Sequence, residues 1–195
     1  MNINITPRLL NLFKLSIVLS FMKKEDRKTI FIFLRYILLI LIAFPNLFLF
    51  YFIFTPLTIY PVNSILSLFY PTNLTGSQIT LSNVSIELVD ACIAGSAYYL
   101  LLLLNLSIPM NLKKRISSIA FSVFLFLTIN VIRISIFTIL LINSFQYFDI
   151  THKIFWYILS GVIVFIIWFI TIKTFKIKDV PFCTDIKFLF GKIKK

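Results

Sequence analysis

Three residues of this 195-residue chain carry side chains that together could perform acyl transfer: Cys92, Arg133 and His152. A thiolate is a nucleophile, an imidazole can accept its proton and return it to a leaving group, and a guanidinium can stabilise an oxyanion or activate a thiol. His152 is the one histidine of the sequence. Arg133 lies inside an apolar run, where a charge is costly and is usually retained for a function or a partner.

The composition defines the environment in which such a site would work. Hydrophobic residues make up 59% of the chain and charged residues 13%, with a mean hydropathy of +0.99. That composition leaves far too little polar surface for a water-soluble globule. The formal net charge of +12 does not indicate nucleic-acid binding, because the basic residues flank apolar runs instead of forming one patch. The sequence therefore predicts an all-α integral membrane protein, a bundle of about four transmembrane helices.

Apolar runs divide residues 1–195, predicted as a single membrane domain, into spans and connecting segments. Residues 1–28 are predicted to form a cytoplasmic, interfacial segment, although the apolar stretch 9–22 could also be a signal-peptide core. The spans are predicted at 29–54, 91–110, 116–142 and 152–172, and a basic cytoplasmic tail follows over 173–195. The outer loop, 55–90, is predicted to hold an amphipathic helix at 60–69 and a short hairpin that pairs 78–81 with 84–88.

Lysine and arginine are distributed unevenly between the two sides of this predicted bundle. Most of them lie at or before Arg35, in the cluster Lys113-Lys114-Arg115, or from Lys173 onward, and the segments 55–90 and 143–151 have none. The positive-inside rule then places both termini in the cytoplasm of a multi-pass protein of the cell membrane.

The three chemically active residues fall at similar depths in this topology. Counted from the cytoplasmic ends of their spans, Cys92, Arg133 and His152 lie at helical rises of roughly 32, 26 and 32 Å. We therefore expect all three near the outer, extracytoplasmic face, although they come from three different helices.

Each of the three residues also has a structural explanation. Cys92 would be a packing residue, since cysteine is among the most buried residue types. Arg133 would form an ion pair with Asp90 or Asp149. His152 would be an anchor at headgroup level beside Lys153 and Trp156. Their coincidence at one depth favours a shared site over these separate explanations.

The order of these residues resembles the exosortase and archaeosortase family of membrane transpeptidases. The resemblance rests on Cys92 at the outer start of one span, Asn130-Val131-Ile132-Arg133-Ile134 near the outer end of the next, and His152 at the outer start of the last. The chain is similar to the short archaeal members, of the pacearchaeosortase type. It departs from the family after the cysteine, where Ser or Thr and then Gly is common, because Ile93 and Ala94 precede Gly95-Ser96 here.

The resemblance implies a cysteine transpeptidase or protease. Cys92 would be the nucleophile, Arg133 the oxyanion or thiolate stabiliser, and His152 the general acid and base. The substrates would be membrane-anchored proteins with a C-terminal sorting signal, made of a short motif, a transmembrane helix and a basic end, and the acceptor would be a lipid. Three further residues are predicted to support the site: Asn130, Asp90 and Gly95, the last among small residues that allow close helix approach.

The sequence predicts no cofactor and no metal, because it has one histidine, no clustered carboxylates and no glycine-rich phosphate loop. The alternative function is that of a non-enzymatic small membrane protein, an assembly partner or a transporter component, with Arg133 in a structural ion pair. A transporter should carry polar groups toward the midplane. The spans are nearly all Leu, Ile and Phe there, with Asn105 as the main exception. The sequence makes no prediction of the oligomeric state.

Overall fold

The computed structural model describes residues 24–44, 47–81, 84–177 and 190–191. The elements in chain order are helices α1 (Lys24–Ala43) and α2 (Phe48–Ser67), strands β1 (Thr72–Thr75), β2 (Gln78–Leu81) and β3 (Val84–Glu87), and helices α3 (Asp90–Ile93), α4 (Gly95–Leu106), α5 (Leu112–Ile142), α6 (Phe148–Ile154) and α7 (Ser160–Thr174). A π-helical turn, Phe155–Leu159, joins α6 to α7. Most of the predicted interfacial segment, including 9–22, and most of the basic tail lie outside the described residues.

Three helical segments of the described chain are long and apolar enough to cross a membrane. They are Phe48–Ser67, Leu112–Ile142 and Phe148–Thr174. Two shorter apolar helices, Thr29–Ala43 and Asp90–Leu106, accompany them. The prediction of a helical membrane protein with a small hairpin is confirmed, and three described helices, where about four were predicted, are long enough to be spans.

The first predicted span, 29–54, is divided in the structure. α1 ends at Ala43, and α2 begins at Phe48 after Leu47, whose φ of 59° is left-handed and breaks the helix. α2 then continues through two internal prolines to Ser67, so most of the predicted amphipathic helix at 60–69 is the end of a helix long and apolar enough to span a membrane. Prolines predict loops in soluble chains, but helices in a membrane tolerate them because neighbouring groups satisfy the freed backbone carbonyls.

The predicted hairpin is present and belongs to a three-stranded antiparallel sheet of order β1-β2-β3. Leu81 of β2 pairs with Val84 of β3, as the alternating pattern predicts. The sequence pattern does not predict β1, which pairs with β2 through a tight turn at Gly76. Gly76 has a φ of 63°, a conformation that glycine adopts readily.

The core around α4 holds the candidate site in place. Tyr98 of α4 is fully buried, stacks on Phe54 of α2 with ring centroids 3.7 Å apart, and meets the ring of Phe126 of α5 edge-on at 4.8 Å. Nearer the other end of α4, the buried Asn105 amide donates to the hydroxyl of Ser122 of α5 at 3.4 Å. α4 is therefore fixed between α2 and α5, and the segment that precedes it is fixed with it.

Candidate active site

Cys92 lies in the one-turn helix α3, between the sheet and α4. Its backbone N–H donates to the carbonyl of Val89 at 2.8 Å, and its free thiol is half-buried. The turn ends at Ala94, whose φ of 60° and ψ of 46° lie in the left-handed region. For a residue other than glycine this conformation costs about 1–2 kcal/mol. The bend at Ala94 separates the cysteine from the axis of α4, and strain of this kind is concentrated at functional sites.

Asn130 of α5 holds the turn that carries the cysteine. Its side-chain amide donates to the backbone carbonyl of Cys92 at 3.0 Å and to that of Ile93 at 3.4 Å. Carbonyls in the last turn of a helix lack partners within the helix, so this buried amide satisfies groups that would otherwise be exposed to an apolar interior. Only the family resemblance points to Asn130 in the sequence, and the structure gives this residue a specific contact.

Gly95 makes a close approach that a side chain would block. A Cβ at this position would lie 2.8 Å from the ring of Tyr51 on α2. Tyr51 and Asp90 also line the same cavity. Gly95, which is predicted to allow close helix approach, therefore leaves room for the Tyr51 ring beside the turn that carries Cys92.

One cavity of about 540 Å³ brings the three predicted catalytic residues together. Cys92 from α3, Arg133 from α5 and His152 from α6 all line it, and Asp90 does so as well. Apolar side chains such as Leu100 and Phe155 form much of the remaining wall.

Arg133 is half-buried, and its electrostatic neighbours are the thiol of Cys92 and the phenol of Tyr98. Neither Asp90 nor Asp149, both within the described part of the chain, forms an ion pair with it. The structural explanation for a charge in this helix, pairing with one of these two carboxylates, is therefore not realised.

His152 is surrounded by aromatic rings. It stacks on Phe148 with centroids 5.6 Å apart, and it meets Phe137 at 5.4 Å and Trp156 at 5.8 Å edge-on. The π-helical turn that follows, Phe155–Leu159, changes the register between α6 and α7, and such turns often occur at functional sites. The rings restrict the rotation of the imidazole while it lines the cavity.

Sequence reasoning missed the aromatic surroundings, although the signal was present. Phe148 and Trp156 stand four residues before and after His152, and Phe137 stands four residues after Arg133. On a helix this spacing places side chains on one face. Tyr51 had no comparable signal, because it reaches the site from α2 through tertiary packing.

The described residues contain no group of three or more His, Cys, Asp or Glu side chains that could hold a metal ion. The cavity is instead lined by the thiol-bearing Cys92, the imidazole-bearing His152 and the guanidinium-bearing Arg133. A nucleophile, a proton carrier and an oxyanion-stabilising cation are the groups that acyl transfer requires.

No protein-family model matches the chain, and no curated protein or solved structure matches it. The interpretation of the cavity therefore depends on residue chemistry and geometry.

Proposed function

We propose that this protein is a membrane cysteine transpeptidase or peptidase of the archaeosortase kind. It acts on exported, membrane-anchored proteins that end in a sorting signal, and it transfers their new carboxyl terminus to a lipid acceptor. The observation that carries the proposal is the convergence of Cys92, Arg133 and His152 on one cavity from three separate helices.

The proposed reaction begins when His152 takes the proton of the Cys92 thiol. The thiolate attacks the carbonyl carbon of the scissile peptide bond, and the guanidinium of Arg133 stabilises the oxyanion that forms. When the C–N bond breaks, His152 gives its proton to the departing amine, which leaves with the C-terminal helix. A thioester on Cys92 remains. The acceptor nucleophile then attacks this thioester and gives its proton to His152, and the C–S bond breaks to release the Cys92 thiolate, which takes the proton back from His152.

The surface beside the cavity suits a substrate that is itself a membrane helix. Trp156 and Tyr157 lie on the exposed side of the helical segment that carries His152, with 50% and 80% of their surfaces exposed. Large apolar side chains that face outward on a spanning segment contact lipid or another helix. In our proposal the active site faces the outside of the cell and both termini are cytoplasmic, as the absence of Lys and Arg from the connecting segments 68–90 and 143–147 favours.

The alternative function, a non-enzymatic assembly partner or transporter component, assigns Arg133 to a structural ion pair. It is less favoured because Arg133 pairs with neither Asp90 nor Asp149. The cavity would also have no role in that account.

The test is processing of a co-encoded protein that ends in a short motif, an apolar helix and a basic tail. Co-expressed with the wild-type chain, this substrate should lose its tail, as seen by a mobility shift on an immunoblot. Cys92→Ala and Cys92→Ser should both abolish the shift, because a hydroxyl has a much higher pKa than a thiol. Cys183→Ser, which replaces the other cysteine of the sequence, is the matched control and should process normally. Processing by Cys92→Ala would exclude the proposed nucleophile.

A further inference from the structure

The small sheet ends on one side at β3, and this side borders the cavity that contains Cys92. In the order β1-β2-β3, no described residue pairs with β3 on the side away from β2. Ile86, Glu87 and Leu88 all line the cavity, whereas no described residue of β1 or β2 does. Successive side chains of an extended chain point to opposite faces of the sheet, so a cavity lined by three residues in a row meets the chain along its edge. The cavity therefore lies against the unpaired edge of β3.

The register of the sheet identifies the backbone groups that this edge presents. The N–H of Leu88 donates to the carbonyl of Ser77, on the side of β2, at 3.0 Å. The direction of the backbone groups alternates along an antiparallel strand, so the N–H and C=O groups of Ser85 and Glu87 point away from β2. Unpaired groups of this kind are a template for a further strand. β3 contains neither proline nor lysine, two residues that often protect such an edge.

We propose that the unpaired edge of β3 binds the extended segment of the substrate that precedes the scissile bond, as a fourth strand parallel to β3. This inference rests on the proposed function, because it describes how the same site takes its substrate. The segment before the scissile bond carries the carbonyl that Cys92 attacks, so it runs toward Cys92. β3 also runs toward Cys92, which follows Glu87 by five residues. Two chains that run toward the same point beside each other are parallel.

The two sides of the scissile bond differ in their ability to pair with a strand. The residues that follow the bond lead into the substrate's membrane helix, where backbone groups are satisfied within the helix. The residues that precede it belong to the exported part, and they still have free N–H and C=O groups. Main-chain hydrogen bonds to a sheet edge supply affinity for such a segment, while pockets for alternate side chains supply sequence preference. The cavity next to β3 is in position to provide those pockets.

Proline at position 85 tests the backbone contact. Ser85→Pro removes one outward N–H from β3 and leaves the bonds to β2 in place, because an edge strand tolerates proline where its N–H faces outward. This variant should lower kcat/KM for the co-encoded, tail-bearing substrate about 2- to 10-fold, the effect of one net hydrogen bond. The loss should appear mainly as a higher KM.

Thr72→Pro on β1 is the matched control. The two-residue turn at Gly76 makes Thr75 and Gln78 a hydrogen-bonded pair, and alternation from Thr75 directs the N–H of Thr72 away from β2. Thr72 therefore loses an equivalent N–H at the opposite edge of the sheet, and it does not line the cavity. This variant should process the substrate normally.

Photocrosslinking in the Cys92→Ala variant measures substrate binding separately from catalysis. A benzophenone amino acid in place of Ser85 should capture the tail-bearing substrate through residues that precede the scissile bond. The same amino acid in place of Asn73 should not. Asn73 and Ser85 are both exposed and both lie beside Thr80, so they share one face of the sheet at its two opposite edges, roughly 10 Å apart.

Three results would overturn the strand pairing while processing still depends on Cys92. These are equal kcat/KM values for Ser85→Pro and Thr72→Pro, equal capture of the substrate from positions 85 and 73, and capture of a second copy of this chain from position 85 in place of the substrate. If Ser85→Pro fails to accumulate, the crosslinking result decides alone. Processing by Cys92→Ala together with capture from position 85 would instead exclude the nucleophile and support the strand pairing, so the two proposals fail in different ways.

Discussion

The side-chain amide of Asn130 donates a hydrogen bond to the backbone carbonyl of Cys92 at 3.0 Å, across 38 positions of sequence. Asn130 and Arg133 are three residues apart on α5, a spacing that places them on neighbouring parts of one helix face. The helix that supplies the guanidinium therefore also fixes the turn that supplies the thiol. This amide therefore helps to set the position of the thiol relative to the guanidinium.

Asn130→Ala should reduce processing by more than it reduces the amount of folded protein. The change leaves the carbonyls of Cys92 and Ile93 without their donor, at a cost of about 1–3 kcal/mol. Much of that cost should appear as displacement of α3. Processing of the tail-bearing substrate, normalised to protein level, measures the effect. Thr128→Ala on the exposed side of α5 is the control, and equal normalised processing by both variants would contradict this role.

Gly95→Ala should destabilise the protein, because its Cβ would lie 2.8 Å from the Tyr51 ring. Forcing an extra carbon into a packed contact costs about 1–3 kcal/mol, which outweighs the roughly 0.5–1 kcal/mol that alanine gains over glycine in a helix unless the Tyr51 ring swings aside. The midpoint of thermal unfolding in detergent should therefore fall. Gly161→Ala provides a matched control, since Gly161 is also helical and lines the same cavity, yet a Cβ there meets nothing within 4 Å.

The double variant Gly95→Ala with Tyr51→Ala separates steric overlap from a backbone effect. If the ring is the obstacle, the double variant should unfold at nearly the same temperature as Tyr51→Ala alone. If Gly95→Ala still lowers the midpoint of thermal unfolding when Tyr51 is replaced by alanine, the effect arises from the start of α4 itself.

His152→Ala should slow processing about 100- to 10,000-fold, the range expected for the loss of a general acid–base group. Protein level should change little, because the imidazole is half-buried and contacts aromatic rings instead of a polar network. Lys153→Ala replaces the exposed neighbour and should process normally. If the two variants lose processing equally while both accumulate less, His152 is a membrane anchor.

The helical membrane fold could be predicted from the sequence because length, apolarity and charge distribution are local properties. The hairpin followed from alternation between Gln78 and Glu87, and the structure pairs those two residues at the open end of β2 and β3. The division between α1 and α2 could not be predicted in the same way. Pro45 in the sequence predicts a kink in this span, but the left-handed conformation of Leu47, at which the second helix starts, is not one that leucine favours.

That Cys92, Arg133 and His152 line one cavity could be anticipated from the sequence, and so could the nearness of Asn130 and Gly95, whereas the specific contacts these residues make could not. Equal depth along three spans brought Cys92, Arg133 and His152 to attention, and the cavity contains all three. The contact between Asn130 and the Cys92 carbonyl depends on how α3 and α5 pack, and the bend at Ala94 breaks the conformational preference of its residue type. Tertiary contacts determine both features, so a single sequence carries little information about them.

The most direct measurement of the central claim is detection of the acyl-enzyme on Cys92. Membranes that contain the wild-type chain and its tail-bearing substrate would be quenched with acid during processing, and the peptide that contains Cys92 analysed by mass spectrometry. We expect this peptide to carry the new carboxyl terminus of the substrate through a thioester that hydroxylamine cleaves, and Cys92→Ala to show neither adduct nor cleavage. Cleavage of the substrate at an undiminished rate by Cys92→Ala, without any adduct, would contradict the assignment of Cys92 as the nucleophile.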